Sequence, residues 1–200
     1  MPLTYHLAFS RREVHSAAYW DQRLAESWDS PSRHWPEKNR LIESLTSPDQ
    51  RILDIGCGNG GILRHLQNRG YTGLVGLEHS AYACRRLAGE GINMIQGSLH
   101  DLPETEAPFD VVIASQVLEH IIRRDRFIRE IKKVLRPEGC VLVFVPNNCL
   151  NPLDEPEHVA VYSKPTLTRF LARHFGEVEV TETMERDAPI LFARSRRPKG

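Results

Sequence analysis

Four glycines stand close together in the first third of the chain, directly after a short apolar segment. The glycines are Gly56, Gly58, Gly60 and Gly61, and Asp54 interrupts the apolar residues just before them. From residue 62 onward the apolar residues take helical spacing. A strand, a glycine turn and a helix in this order bring a ligand close to bare backbone at a helix N-terminus. This segment, with the small Cys57 inside the turn, therefore predicts a site for a nucleotide-like cofactor.

The glycine spacing by itself fits two kinds of cofactor. Gly56, Gly58 and Gly61 also match the fingerprint of dinucleotide-binding proteins, in which the turn approaches a pyrophosphate. A carboxylate at Asp54 would repel that anion and would suit an ammonium group instead. S-adenosylmethionine carries such a group on its methionine end. The alternative interpretation of Asp54 is a cap of the following helix or turn.

A second carboxylate lies where the next predicted strand ends. Residues 73–77 lead into Glu78, which stands 22 residues after Gly56. A carboxylate at this place can accept both ribose hydroxyls and would reject a ribose 2′-phosphate. An ordinary exposed glutamate at a strand end is the alternative, but the spacing from the glycine turn favours the ribose role.

Further motifs follow in a fixed order along the chain. They are Gln96-Gly-Ser-Leu-His-Asp-Leu-Pro103, Phe109-Asp-Val-Val-Ile-Ala-Ser-Gln-Val-Leu-Glu-His-Ile121 and Val134-Leu-Arg-Pro-Glu-Gly139. Together with residues 53–60 and Glu78, they make the chain similar to class I S-adenosylmethionine-dependent methyltransferases, close to the small-molecule group that includes quinone-biosynthesis enzymes. The similarity covers residues 50–147 in the family's order and spacing, and the two terminal thirds match only loosely.

The resemblance implies S-adenosylmethionine as cofactor and adds residues to its site. Where the family has an aspartate that accepts from the adenine amine, this chain has Ser98, whose hydroxyl is a weaker acceptor. The backbone N–H of Leu99 could reach a ring nitrogen, and His79 follows the ribose carboxylate. Ser115 and Gln116 take the family positions beside the methionine moiety and the sulfonium.

Three residues are candidates for a catalytic role toward the acceptor. His120 follows Glu119 in a motif that recurs in family members with different substrates, which favours a positional role for both over base catalysis. His158 and Tyr162 stand at the end of a long polar loop and could deprotonate or orient an acceptor hydroxyl. Equally, His158 could hydrogen-bond a loop and Tyr162 could fill the start of a helix.

The elements that must position these residues alternate between helix and strand. This alternation predicts an α/β fold with a doubly wound, mainly parallel sheet, and the resemblance implies seven strands, the last antiparallel, in a Rossmann-like arrangement. Strands are predicted at 51–55, 73–78, 92–96, 109–114, 139–146, 176–183 and 188–195, and helices at 14–28, 36–46, 61–69, 80–89, 123–135 and 164–174.

We expect a single domain over residues 1–200, with N-terminal lid helices in residues 1–47 and the core in 48–200. All three tryptophans, Trp20, Trp28 and Trp35, precede the glycine turn. They could wall off an apolar acceptor from water, or they could merely pack a helix onto the sheet.

The composition narrows the classes of function. Lys and Arg total 26, as do Asp and Glu, so the formal net charge is zero. A protein whose main function is to bind nucleic acid is therefore not expected. No secretory signal is visible, and the longest strongly apolar run, residues 141–145, is too short to span a bilayer. The four cysteines form no paired or metal-ligand pattern, which predicts free thiols in the cytoplasm and no metal site.

The expected mechanism follows from the cofactor, because a sulfonium-bound methyl group is already activated. The protein would align a small-molecule nucleophile behind the methyl group and exclude water. Oxygen, nitrogen and carbon acceptors all remain open. Two other classes stay as alternatives: a cofactor-binding partner protein with little catalysis of its own, and an NAD-dependent oxidoreductase, which only the overlapping glycine pattern favours.

Overall fold

A seven-stranded sheet forms the centre of the molecule. The computed structural model describes residues 16–30, 34–98, 102, 108–147 and 158–200. Its strands are β1 (Arg51–Ile55), β2 (Gly73–Glu78), β3 (Asn93–Gln96), β4 (Phe109–Ser115), β5 (Leu135–Pro146), β6 (Phe175–Glu185) and β7 (Ala188–Pro198). Their order is β3-β2-β1-β4-β5-β7-β6, and β7 runs antiparallel to both of its neighbours while the other pairs are parallel. The predicted Rossmann-like sheet with an antiparallel last strand is confirmed.

Six α-helices cover the two faces of this sheet. They are α1 (Ala17–Ser27), α2 (Pro36–Leu45), α3 (Gly61–Gln67), α4 (Ala81–Gly89), α5 (Arg124–Val134) and α6 (Lys164–Ala172). Apolar residues of α1 to α4 pack on one face, and those of α5 and α6 pack on the other. Central strands covered on both sides must be apolar almost throughout, which is why β1 is buried at every position after Arg51.

Most element bounds lie within three residues of those predicted from the sequence, and two differences are larger. The short 3-10 helix Leu118–His120 was not predicted, because three residues are too few to show a period. The strand β5 begins at Leu135 rather than at residue 139, since Leu135 pairs with Phe109 before the register shifts ahead of Val111.

Both N-terminal helices are tied to the rest of the molecule by carboxylates at helix starts. Asp21 of α1 accepts from Ser80 Oγ (2.5 Å) and from the backbone N–H of Tyr82 (2.9 Å), at the beginning of α4. Glu185 of β6 accepts from the backbone N–H groups in the first turn of α2, including that of Lys38 at 2.8 Å. These contacts fix α1 and α2 over the carboxyl ends of the strands, while the division into a lid and a core stays a prediction.

Two further observations concern the class of protein. Cys57, Cys84 and Cys140 are free thiols, and Cys149 lies outside the described residues. In the part of the chain that the structure covers, no helix has the length and apolar character needed to cross a membrane.

Candidate active site

A cavity of about 360 Å³ opens at the carboxyl ends of β1, β2 and β4. This is the edge of an open parallel sheet where ligands bind, and the volume lies within the usual range for small-molecule sites. Its walls come from the glycine turn, the end of β2, the segment after β4, the helix α1, and Trp35 just before α2. The lining residues are Trp20, Leu24, Trp35, Gly56, Cys57, Gly58, Asn59, Glu78, His79, Ser98, Ser115, Gln116, Val117, His120, Ile121 and Ile122.

The glycine turn between β1 and α3 has the backbone that the sequence predicted. Gly56, Gly58 and Gly60 have φ values of 65°, 55° and 74°, in the left-handed region that suits glycine. A Cβ added at Gly56 would lie 2.7 Å from Cγ2 of Val117, so the turn can approach the segment after β4 only because this residue has no side chain. The turn therefore presents bare backbone to the cavity.

The carboxylate of Glu78 is held by backbone donors on both of its oxygens. Oε2 accepts from the N–H of Gly58 at 2.9 Å, and Oε1 accepts from His79 at 2.7 Å and Ser80 at 3.0 Å. The side chain is buried and lines the cavity. A fixed carboxylate with remaining acceptor capacity is suited to a pair of hydroxyl donors.

Asp54 lies in β1, two residues before Gly56, and is not among the residues that line the cavity. It is 2% exposed, and its Oδ2 accepts no hydrogen bond from the described residues. Burial, aided by the nearby Glu78, raises the pKa of Asp54 to about 8, against the opposing effect of Lys38. Burial also raises the pKa of the Cys57 thiol well above its usual value, which argues against Cys57 as a nucleophile.

The other predicted cofactor residues line the same cavity where the structure describes them. Ser98 and His79 lie at the ends of β3 and β2, and Ser115 and Gln116 follow β4. Gln116 has a positive φ of 57°, its N–H donates to Phe144 O, and its buried Nε2 meets no acceptor among the described residues. Leu99 lies outside the described residues, so its predicted contact with adenine stays a prediction.

A buried lysine that the sequence analysis did not identify lies beside the cavity. Lys38 of α2 is 1% exposed; its Nζ lies 3.8 Å from the ring centroid of Trp35 and donates to Ser115 Oγ at 3.4 Å. Burial lowers its pKa to about 8, although the charges of Glu119, Glu185 and Asp54 oppose that shift. One feature of the sequence could have indicated that Lys38 is buried. It lies four residues before the apolar Ile42, which is fully buried, and residues at this spacing share one face of a helix.

The structure brings together two of the three catalytic candidates. The rings of His120 and His158 have centroids 5.0 Å apart, and the ring of Trp20 packs edge-on against His120 at 5.7 Å. Glu119 is fully buried, and neither carboxylate oxygen has a hydrogen-bond partner among the described residues. Burial raises the pKa of Glu119 to about 8. His120 lines the cavity, whereas His158 is not among the residues that line it.

Two aromatic residues face away from the cavity. Tyr162 is buried in the core, and its hydroxyl contacts Leu118 O and Arg124 at 3.4 Å each. This location favours the packing role for Tyr162 over the catalytic one. Trp28 packs edge-on against Tyr82 instead of lining the cavity, while Trp20 and Trp35 do line it.

Comparisons with known proteins agree with this geometry. A family model described as a methyltransferase domain matches residues 53–143. The chain is 29% identical to a glycine/sarcosine/dimethylglycine N-methyltransferase of Actinopolyspora halophila, over 70% of this chain and 31% of that protein. It is 27% identical to a ubiquinone biosynthesis O-methyltransferase of Agrobacterium fabrum, over 78% of this chain and 61% of the relative. The chain thus spans less than two thirds of the length of each.

Solved structures show the same fold at low identity. An S-adenosylmethionine-dependent methyltransferase from Aquifex aeolicus superposes with a TM-score of 0.66 at 18% identity, covering 88% of this chain and 98% of that one. DhpI in complex with S-adenosylhomocysteine gives a TM-score of 0.66 at 20% identity, covering 91% of this chain and 95% of DhpI.

Proposed function

Since the chain carries a class I S-adenosylmethionine-dependent methyltransferase domain, we propose that it transfers the methyl group of that cofactor to a small-molecule acceptor bound in the same cavity. The observation that carries the proposal is one continuous cavity, which joins the glycine turn and Glu78 to the aromatic side chains of Trp20 in α1 and of Trp35 before α2. A cavity with this continuity allows cofactor and acceptor to meet without an intervening wall.

The excess of buried acidic groups supports a cationic cofactor, because a nearby cation favours the ionised form of carboxyl groups whose pKa burial has raised. Among the charged side chains that the structure describes as buried, one is a cation, Lys38, and four are carboxylates: Asp54, Glu78, Glu119 and Glu185. S-adenosylmethionine brings an ammonium and a sulfonium to such a site. A pyrophosphate would add anionic charge beside Asp54, which argues against the NAD-dependent alternative.

We propose one orientation for the cofactor. The ribose hydroxyls donate to Glu78, the methionine ammonium contacts Asp54, and the backbone of the glycine turn lies along the chain between them. Ser98 borders the adenine end, and Ser115 and Gln116 border the reactive methyl group. This orientation directs the methyl group toward His120 and the α1 wall.

The acceptor then occupies the end of the cavity bounded by Trp20, Trp35, His120 and the exposed Ile122. These walls are mainly apolar and exclude water from the reacting atoms. Alignment of the nucleophile with the sulfonium methyl supplies several kcal/mol of the barrier reduction. The free thiols and the net charge of zero support the cytoplasm as location and a partner other than nucleic acid.

A ligand panel tests the cofactor assignment. We expect calorimetry to show binding of S-adenosylmethionine and S-adenosylhomocysteine and no binding of NAD or NADP. Binding of NAD alone would contradict the proposal and favour an oxidoreductase.

An acceptor library tests the methyl transfer itself, with release of S-adenosylhomocysteine as the readout. Turnover of alcohols, phenols, amines or carbon acids would establish an enzyme and its acceptor class. Tight cofactor binding without turnover on any acceptor class would contradict the enzymatic proposal and favour the partner protein.

A further inference from the structure

Three candidate metal ligands converge beside the cavity from two separate segments. Glu119 and His120 belong to the 3-10 helix, and His158 lies 38 residues further along the chain. Each offers one ligand atom, and these atoms all lie within 4.8 Å of one another. Neighbouring ligand atoms of a tetrahedral ion are roughly 3.4 Å apart at the usual bond lengths. Small rotations of the three side chains would therefore allow their ligand atoms to coordinate one ion.

Backbone hydrogen bonds hold the two segments in this position. The carbonyl of Glu119 accepts from the N–H of Val159 at 2.8 Å and from that of Ala160 at 3.0 Å. These bonds fix the residue next to His158 against the 3-10 helix. The proximity of the three ligands is thus built into the main chain, and it does not depend on long flexible side chains.

The carboxyl group of Glu119 is the observation that points to a ligand. It is fully buried, and both of its oxygens are without a hydrogen-bond partner among the residues that the structure describes. A buried carboxylate without a partner is strongly unfavourable. The nearby buried cation does not satisfy it, because Lys38 Nζ donates to Ser115 Oγ and lies over the Trp35 ring.

We propose that Glu119, His120 and His158 form a site for a divalent transition-metal ion at the acceptor end of the cavity. Two imidazoles and one carboxylate are a donor set that suits Zn²⁺, Fe²⁺ or Co²⁺ better than Mg²⁺ or Ca²⁺, which prefer oxygen ligands. Three protein ligands leave at least one coordination position open, as in sites that bind a substrate or water. The position of His120 in the cavity wall directs this open position toward the acceptor.

The role of the ion rests on the proposed function and narrows its acceptor to an alcohol or a phenol. A hydroxyl bound to the ion loses its proton to solvent near neutral pH. The oxygen lone pair then forms the bond to the methyl carbon, and the electrons of the S–CH3 bond stay on sulfur, giving S-adenosylhomocysteine. An amine acceptor would gain nothing comparable, because its lone pair would be occupied by the ion.

Binding of Co²⁺ to the chelator-treated full chain tests the site without any acceptor. We expect about one equivalent to bind, with visible absorption bands typical of nitrogen and oxygen ligands, and Zn²⁺ to displace it. His158→Ala should weaken Co²⁺ binding by at least about 10-fold. Loss of a group that only supports a metal ligand already costs about 10-fold to 100-fold in metal affinity. The matched control is His174→Ala, which removes a histidine paired with Asp125 at 2.9 Å outside the cavity.

Glu119→Gln is the second variant, and circular dichroism shows whether it folds. Weaker binding in both site variants, with unchanged binding in His174→Ala, would establish the site. Absence of Co²⁺ binding to the unaltered chain, or full binding by His158→Ala, would overturn it. Calorimetry with S-adenosylmethionine on the same samples separates the two proposals. Cofactor binding without Co²⁺ binding rejects only the metal site, and Co²⁺ binding without cofactor binding rejects only the methyl-transfer proposal.

Discussion

The two ends of the cavity satisfy their polar groups in different ways. At the cofactor end, Glu78 accepts three backbone N–H groups from the glycine turn and the start of α4. At the acceptor end, the oxygens of Glu119 have no such partner among the described residues, and the ammonium of Lys38 donates to the hydroxyl of Ser115 and lies over the rings of Trp35 and Phe144. The two ends differ in which parts of the chain supply the groups around each carboxylate.

The part of the cofactor end around Glu78 is assembled from segments close in sequence, namely β1, the glycine turn and β2. Its donors are backbone groups, so its geometry persists when no ligand is bound. The acceptor end is assembled from α2, the 3-10 helix and the segment at His158, and its groups are side chains whose charges need a ligand or an ion. We infer that the first end is preformed, whereas the second is completed by what it binds.

The charge of Asp54 gives the largest expected effect on stability. Its pKa is raised to about 8 in the folded protein, so the folded state retains a proton that the unfolded state loses above about pH 4. The stabilising contribution is complete below about pH 4 and is lost as the pH rises through 8. The Asp54→Asn variant has no carboxyl group to titrate at this position. Its free energy of unfolding should therefore increase relative to that of the unaltered protein by several kcal/mol from about pH 4 to pH 9. Urea unfolding of both proteins at each pH measures it; parallel curves would contradict the buried charge.

The glycine turn comes next, since its geometry keeps the cofactor end preformed. Gly56→Ala places a Cβ 2.7 Å from Val117 at a φ of 65°, and we expect it to lower the free energy of unfolding by about 3 kcal/mol. Gly70→Ala is the control, because its φ is also positive but nothing lies within 4 Å of the added atom. It should lower that free energy by only about 1 kcal/mol. Equal losses would show that close packing at Gly56 is unimportant.

The proposed ribose contact of Glu78 allows a test on cofactor binding alone. Glu78→Gln should weaken the binding of S-adenosylmethionine by about 1.5–3 kcal/mol, the range for a hydrogen bond to a charged group. Glu90→Gln serves as a control, because that carboxylate pairs with Arg64 on the surface. Calorimetry on both variants decides the matter, and unchanged affinity in a folded Glu78→Gln protein would remove Glu78 from the ribose site.

The smallest effect concerns the contact that ties α1 to α4. Asp21→Asn removes a charge from the start of α4, and we expect a loss of about 1 kcal/mol in the free energy of unfolding. The hydrogen bond from Ser80 lowers the pKa of Asp21, so this contribution is present at neutral pH and is lost as the pH falls below about 4. Amide hydrogen exchange in α1 should be faster in this variant than in Gln22→Ala, whose side chain bonds only to Glu26 within the helix. Identical exchange in the two variants would show that Asp21 does not hold α1.

Much of the fold followed from local patterns. The apolar runs of β1 and β4 and the positions of the glycines predicted the order of strand, turn and helix. The seven-stranded topology came from the resemblance carried by several ordered motifs. The 3-10 helix could not be predicted, because its position depends on contacts with β5 and on hydrogen bonds from the backbone of Val159 and Ala160, which are distant in sequence.

The sequence by itself predicted the glycine turn and the carboxylates Asp54 and Glu78, since these residues lie within about thirty positions of one another, where local backbone rules apply. Only the tertiary structure decided the acceptor end. In the folded protein, Lys38 is buried beneath the ring of Trp35, His158 lies close to Glu119, and Tyr162 lies in the core. Such contacts join segments far apart in the chain, and their distances depend on how helices pack over the sheet. Packing is a property of the whole fold, so no short pattern in the sequence predicts it.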